Sequence, residues 1–333
     1  MNKKQFLWFL LAMAIFVASG VVGVRSAANA REQSAAAAEQ FAETFASAFG
    51  STASAAMLPD VPYAARVDVK GTIMSSSGTA SLLSSDGFDL NSTLDYVDQL
   101  IHDENNVGIL LFIDSPGGEM KATDDLYLKL MDYKATGRPI YCYFDGTACS
   151  GGYYAAMASD EICANRNCVC VNIGVYIVTY NMAGLFDKLG VEQIAFKSSE
   201  NKGIGMTGIP WTDEQKEIYQ SIVDYDYDLF LDVVARGRGM TKQQVRTLDD
   251  GREMTAGQAL DAGFIDSIGR YEEYEAQVLE KLGTDVLYER APAENSLQSL
   301  MQYFSSVLPR SDTQSLLDFA EAHSRAVVMA YAG

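Results

Sequence analysis

The chain opens on an uncharged run from Phe6 to Val24, with Lys3 and Lys4 before it and Arg25 after it. As a helix rising about 1.5 Å per residue, this run spans roughly 28 Å, close to the hydrocarbon thickness of a bilayer. It reads as a transmembrane anchor over 6–24 behind a short tail at 1–5. A cleaved secretory signal, cut near Ala28-Asn29-Ala30, and a buried soluble helix are the alternatives. Basic residues flank both sides, so charge leaves the orientation open. An alanine-rich stretch with Ser, Glu and Gln follows over 25–58 and reads as a stalk, ending near Pro59 and Pro62.

Beyond the stalk the apolar pattern changes to short runs separated by glycine turns. Alternation predicts a strand over Ala65–Ile73, followed by a Ser/Gly-rich loop to Gly87. Leu94, Val97, Leu100 and Ile101 fall at helical spacing and predict a helix over Leu90–His102 with Asn91 as its N-cap. Val107–Ile113 is apolar without alternation, as a strand buried on both faces would be. Asp114-Ser115-Pro116-Gly117-Gly118 breaks it before a helix at about Glu119–Tyr133. A second buried strand at Ile140–Phe144 leads to Gly146-Thr147-Ala148-Cys149-Ser150-Gly151-Gly152 and another helix. Strand, glycine turn and helix thus occur twice in succession, which predicts an α/β fold with right-handed crossovers and active groups at the C-terminal strand edges.

Downstream, Val171–Val178 and Gln193–Phe196 are strand candidates around a helix at Met182–Leu189 that Gly190 terminates. Thr212 with Gln215, Thr241 with Gln244, and Thr255 with Gln258 are capping boxes, the first opening a helix that reaches Ala235. A last helix is expected near Tyr271–Leu282. The catalytic unit is placed at 59–283, and 284–333 is an extension with no chemical motif.

The 48% hydrophobic content of the 333 residues suits a full globular core, and the net charge of −19 argues against nucleic acid as a partner. The densest basic spot, Arg236-Gly237-Arg238, reads as a helix C-terminus with a glycine stop. The five cysteines, at 142, 149, 163, 168 and 170, are an odd set without a second pair at zinc-ligand spacing, so they read as small buried hydrophobes.

Ser150 is a candidate nucleophile because it ends a buried strand where unpaired N–H groups of Gly151 and Gly152 open a helix. Gly117 and Gly118 can approach a substrate carbonyl closely and add an oxyanion donor. Taken alone, a Ser-Gly-Gly turn is more often a structural turn than a catalytic site. The chain's only histidines are His102, on a surface helix, and His323, in the extension. A lysine is therefore the next candidate for the base, a task that requires burial or a nearby cation to lower an amine's pKa.

Ser115-Pro116-Gly117-Gly118, Ser150-Gly151-Gly152-Tyr153-Tyr154-Ala155-Ala156-Met157-Ala158-Ser159-Asp160 and Asn172-Ile173-Gly174-Val175 together resemble the signal peptide peptidase A family of S49 serine peptidases. Leu189-Gly190-Val191, Phe196-Lys197-Ser198, Asp250-Gly251-Arg252 and Gly263-Phe264-Ile265-Asp266 follow in the family's order, so the resemblance runs from about Val67 to Leu282. It implies a ClpP/crotonase-like spiral of ββα units behind an N-terminal transmembrane helix, and a Ser-Lys dyad that needs no cofactor or metal. Ser150 matches the nucleophile. In Lys197-Ser198-Ser199-Glu200-Asn201-Lys202, Lys202 takes the place of the general base, with Lys197 the runner-up. Gly151, Gly117 and Gly118 would hold the oxyanion.

The resemblance further implies a homo-oligomeric ring or dome whose sites take Ser150 and Lys202 from adjacent subunits. The expected location is the outer face of a bacterial cell membrane, with membrane lipid around the anchor. Expected substrates are peptides: cleaved signal peptides and other unfolded hydrophobic segments. Two departures stand out: Gly203-Ile204-Gly205-Met206 follows Lys202, where an acidic or polar residue is common, and Cys149 replaces a small alanine before the nucleophile. A non-catalytic scaffold with a misplaced base, acyl-CoA chemistry and a phage-type capsid protease are the competing expectations.

Overall fold

Three apolar stretches make the centre of a parallel sheet. β1 (Tyr63–Lys70), β2 (Asn106–Ser115) and β3 (Ile140–Cys149) lie side by side in that order. Ile109, Leu110, Leu111 and Ile113 are fully buried, as an unalternating run requires when both faces of a strand are covered. The chain crosses between these strands through α1 (Leu90–His102) and α2 (Met120–Lys134). This is a computed structural model that describes residues 58–75 and 88–290. The expected anchor at 6–24, the stalk except Leu58, and the extension beyond Arg290 lie outside the described residues. Among the described residues, no helix is long and apolar enough to cross a membrane.

β3 runs past its predicted end because it changes partner. Tyr141–Phe144 pair with β4 (Glu161–Ala164), and Thr147–Cys149 pair with β5 (Val169–Val171). Asp114 Oδ1 accepts the Thr147 N–H at 2.9 Å where the two halves meet. This extra length carries the chain to Ser150 and the short α3 (Gly151–Ala156), in which every residue is buried.

After α4 (Ala183–Leu189), α5 (Asp213–Arg238) and α6 (Lys242–Leu248), β6 (Glu253–Thr255) pairs antiparallel with β5. α7 (Ala256–Asp261) leads to β7 (Ser267–Ile268), which pairs with β4. α8 (Tyr271–Leu282) precedes β8 (Leu287–Glu289), which extends the sheet beyond β1. The result is a mixed α/β sheet in the order β6-β5-β3-β2-β1-β8, with β4 and β7 branching from β3.

All three capping boxes form. Other local expectations change. The cap of α1 is Asp89, whose carboxylate accepts the Ser92 N–H at 3.1 Å, because the helix begins two residues earlier than an Asn91 cap requires. Gly237 lies inside α5 with no room for a Cβ against Met157, and the stop is Gly239 at φ 63°. The strands expected at Val171–Val178 and Gln193–Phe196 do not form: β5 ends at Val171, and 172–182 and 191–197 carry no regular structure. Val171 and Ile173 are buried in the core, but Tyr176, Ile177, Val178, Ile194 and Phe196 are exposed, so beyond Val175 the apolar pattern reflects no burial within this chain.

Candidate active site

Ser150 sits where β3 turns into α3, with φ 50° and ψ −119°. A non-glycine residue held there stores roughly 1–3 kcal/mol of strain, and such conformations persist where the surroundings over-determine them. Here the surroundings do. The Ser150 N–H donates to Val171 O at 2.8 Å and its carbonyl accepts from Tyr154 N–H at 2.9 Å. Tyr154 and Tyr153 anchor α3 below, their hydroxyls donating to Asp124 Oδ1 at 2.6 Å and Phe264 O at 2.7 Å. The Ser150 side chain makes no capping bond to α3. A strained serine on a sharp strand-to-helix turn, its hydroxyl uncommitted among the described residues, is the geometry that presents a nucleophile.

The turn after β2 packs directly against this corner. Ser115, fully buried, donates its hydroxyl to Gly71 O at 2.6 Å and accepts the Gly117 N–H at 3.1 Å. Ile73 runs alongside, its N–H on Gly117 O and its carbonyl accepting from Glu119 N–H. A Cβ at Gly118 would run into Ile73 O, and one at Gly117, where φ is +104°, would lie 2.6 Å from Gly151 N. The Gly117 N–H is therefore engaged by Ser115. The Gly118 N–H has no acceptor among the described residues, and the Gly151 N–H, first in its helix, is an orphan by position. Of the expected oxyanion glycines, Gly118 and Gly151 thus keep a free N–H among the described residues, as does Gly152 behind them, while Gly117 does not.

Two further polar groups border the corner. Thr123 Oγ1 is buried without a hydrogen-bond partner and occupies the space a Cβ on Gly151 would need. On the other side, Val171 and Asn172 have φ of 76° and 55°, unusual for any non-glycine residue and most of all for a β-branched one. Asp249, 2% exposed, accepts N–H groups from Ile173 at 3.1 Å and Gly251 at 2.6 Å, and Asn172 Nδ2 donates to Gly251 O at 2.6 Å. Burial pushes the Asp249 carboxyl above its ordinary range against the pull of those two bonds. Cys149, next to Ser150, is buried and its thiol is pushed up to about 12, chiefly by desolvation.

Lys202 lies elsewhere, in an exposed turn whose N–H bonds Ser199 O at 3.2 Å. That turn is tied to the start of α5: Asn201 bonds Glu214 and Gln215, and Tyr219 donates to Ile204 O. The far part of α5 is anchored to α3 through Phe230, whose ring lies 5.1 Å from that of Tyr154. From Gln215 to Phe230 a helix rises roughly 22 Å. No hydrogen bond joins Lys202 Nζ to Ser150 among the described residues. Lys197 Nζ donates to Glu200 O within its own turn.

The profile of peptidase family S49 matches residues 132–284, a span containing both Ser150 and Lys202. A putative signal peptide peptidase SppA of Enterococcus faecium is 33% identical over 208 residues, covering 62% of this chain and 60% of that protein. A putative protease of Synechocystis is 30% identical over 209 residues, covering 63% of this chain and 70% of that protein.

The chain belongs to peptidase family S49.

Another relative, protease 4 of Haemophilus influenzae, is 27% identical over 208 residues, or 62% of this chain but only 33% of its own length. The S49 chain described here thus spans well under two thirds of some relatives. A solved ClpP1 mutant from Listeria monocytogenes aligns over 62% of this chain and 92% of that chain with 16% identity and a TM-score of 0.39, too distant to bear on the fold.

Of the residues singled out from sequence, the S49 fold brings Ser150, Gly151, Gly117 and Gly118 into one corner and leaves Lys202 on a separate turn. Sequence reasoning missed Thr123 and Asp249. Thr123 carries no signal in sequence, where it is one polar residue among Lys121, Asp124 and Asp125. Asp249-Asp250-Gly251 is a turn signature that could have marked its aspartate as a backbone acceptor.

Proposed function

We propose that this S49 chain is a serine endopeptidase with a ClpP/crotonase-like core, in which Ser150 attacks a peptide carbonyl and Lys202 of a neighbouring copy takes the serine's proton. The observation that carries the reading is the strained φ of Ser150, whose hydroxyl, like the N–H groups of Gly118 and Gly151 beside it, has no hydrogen-bond partner among the described residues. As the tetrahedral intermediate forms, negative charge develops on the carbonyl oxygen, and two fixed N–H donors stabilise it without reorganisation. The lysine returns its proton to the leaving amine, giving an acyl-enzyme on Ser150. Water, deprotonated by the same lysine, then attacks the acyl carbon; its C–O bond to Ser150 breaks, the lysine returns the proton to the serine oxygen, and the peptide acid leaves.

The separation of Lys202 from Ser150 along α5 supports a base delivered between subunits. So does the apolar arm from Tyr176 to Phe196, on which α4 buries no residue. An exposed apolar surface of this kind is characteristic of an interaction site. Docked against a neighbour, the arm would remove water from the lysine, and an amine out of water favours its neutral, base-competent form. A ring or dome of subunits anchored in the bacterial membrane by 6–24, acting outside the cytoplasm on signal peptides and other unfolded hydrophobic segments, completes the proposal.

The test compares wild type with Ser150→Ala, Lys202→Ala and Lys197→Ala on a fluorogenic peptide in detergent. Loss of hydrolysis in the first two with retention in the third supports the dyad. Full activity in Lys202→Ala would remove that lysine from the mechanism, and no Ser150-dependent hydrolysis in wild type would leave a non-catalytic scaffold.

A further inference from the structure

We infer that Asp249 is a positioning residue for Ser150: its carboxylate holds the left-handed Val171–Asn172 corner in place, and the carbonyl of that corner holds the Ser150 N–H. The inference deepens the peptidase reading and rests on Ser150 being the nucleophile.

The connection can be followed bond by bond. Asp249 ends α6 and is almost wholly buried. One carboxylate oxygen accepts the Ile173 N–H at 3.1 Å and the other accepts the Gly251 N–H at 2.6 Å. The same two segments are joined a second time by Asn172 Nδ2 on Gly251 O. Between Ile173 and the Ser150 contact lie Val171 and Asn172, both at positive φ. Val171 does not adopt that conformation unaided, since its branched β carbon crowds the backbone there, whereas Asn172 tolerates it. Something must hold it. The acceptors that do so are the two oxygens of one carboxylate, fixed to the end of a helix.

What the corner delivers is Val171 O, 2.8 Å from the Ser150 N–H. Cys149 pairs with Val171 across β3 and β5, so the strand residue before Ser150 is aligned on the same point. Ser150 is itself at positive φ. Three non-glycine residues at positive φ therefore meet around one hydrogen bond, and Asp249 secures its acceptor side. If the corner relaxes, Ser150 loses the acceptor on its N–H and its hydroxyl shifts relative to the donors on Gly118 and Gly151.

The experiment uses the full-length protein as wild type, Asp249→Ala, Asp249→Asn, and Asp249→Ala combined with Val171→Gly and Asn172→Gly. Site-resolved hydrogen exchange reads the positioning directly. In Asp249→Ala the Ser150 and Ile173 amides are expected to exchange about tenfold faster or more, while the amides of β1 and β2 stay protected. On a fluorogenic peptide kcat falls about 100-fold with little change in KM, the scale of a small misplacement of a reacting group. Asparagine keeps a single acceptor oxygen and gives an intermediate loss, which also covers a failure of the alanine variant to fold. Glycine tolerates positive φ, so the triple variant recovers part of the lost kcat.

Unchanged Ser150 protection in both Asp249 variants overturns the inference, as does a kcat that stays near wild type. No recovery in a folded triple variant assigns Asp249 to stability alone and overturns it too. A wild type with no Ser150-dependent hydrolysis overturns the peptidase reading instead, and the exchange result still decides whether Asp249 holds the corner.

Discussion

Around Ser150 the neighbouring elements are finished within the chain. α3 is wholly buried, its two tyrosines reach specific acceptors, and both flanking turns are tied to backbone partners. The arm from Tyr176 to Phe196, with the Lys202 turn after it, is the reverse. Phe196 is 100% exposed, Tyr176 81% and Ile194 68%, and α4 contributes nothing to the core. Both regions are rich in apolar residues. The difference is that one has its burial partners in the same chain, whereas the other presents apolar surface of the sort that folded chains cover with another molecule. Half of the proposed chemistry lies in each.

The largest expected effect strikes the finished half. Ser150→Ala removes the attacking atom and is expected to lower kcat by on the order of 10⁴-fold or more, measured with a fluorogenic peptide, while the thermal melt moves little. Gly118→Ala comes next. Its new Cβ would collide with Ile73 O, so the turn must move, with about 1–3 kcal/mol lost in denaturant titration and most activity lost with it. A Gly118→Ala protein with wild-type stability and rate would show that the two turns are not locked together.

Phe196→Asp separates the halves most sharply. A fully exposed residue should leave unfolding free energy within about 0.5 kcal/mol, yet the charge should weaken any docking of the arm. Activity is expected to fall about tenfold or more together with a lower assembly state in sedimentation velocity. Equal loss of stability and activity would mean that the arm belongs to its own chain's core.

The smallest effect concerns Cys149. Burial raises its thiol to about 12, so the reactive thiolate is scarce below that pH and the group stays protonated at neutrality. Thiol reagents at pH 7–8 should leave hydrolysis intact and label the five buried cysteines only after denaturant is added. Rapid inactivation of native protein would show that the Ser150 corner opens in solution.

The finished half was also the legible one. Unalternating apolar runs marked β2 and the first part of β3, capping boxes placed three helix starts, and glycine pairs located both turns, because each depends on local backbone chemistry. The bend that extends β3 to Cys149 was not visible, since it arises from pairing with β5 rather than from Asp145-Gly146 alone. The arm misled in an instructive way: Tyr176–Val178 and Gln193–Phe196 have the apolar content of strands, and sequence cannot say that they stay exposed outside the chain's own sheet. Asp249 escaped notice because its importance comes from two N–H groups, one of them on Ile173, that only the fold brings to it. The assignment of Lys202 owed more to family resemblance than to its own surroundings.

The central claim is that one chain supplies the nucleophile and another the base. Inactive Ser150→Ala and inactive Lys202→Ala proteins should be mixed in equal amounts, dissociated, reassembled and assayed. In a closed ring of heterologous contacts, random mixing pairs an intact Ser150 with an intact Lys202 at about a quarter of the interfaces, and about that fraction of wild-type activity should return. No recovery from a mixture shown to have co-assembled would contradict the account and place both groups of each site in a single subunit.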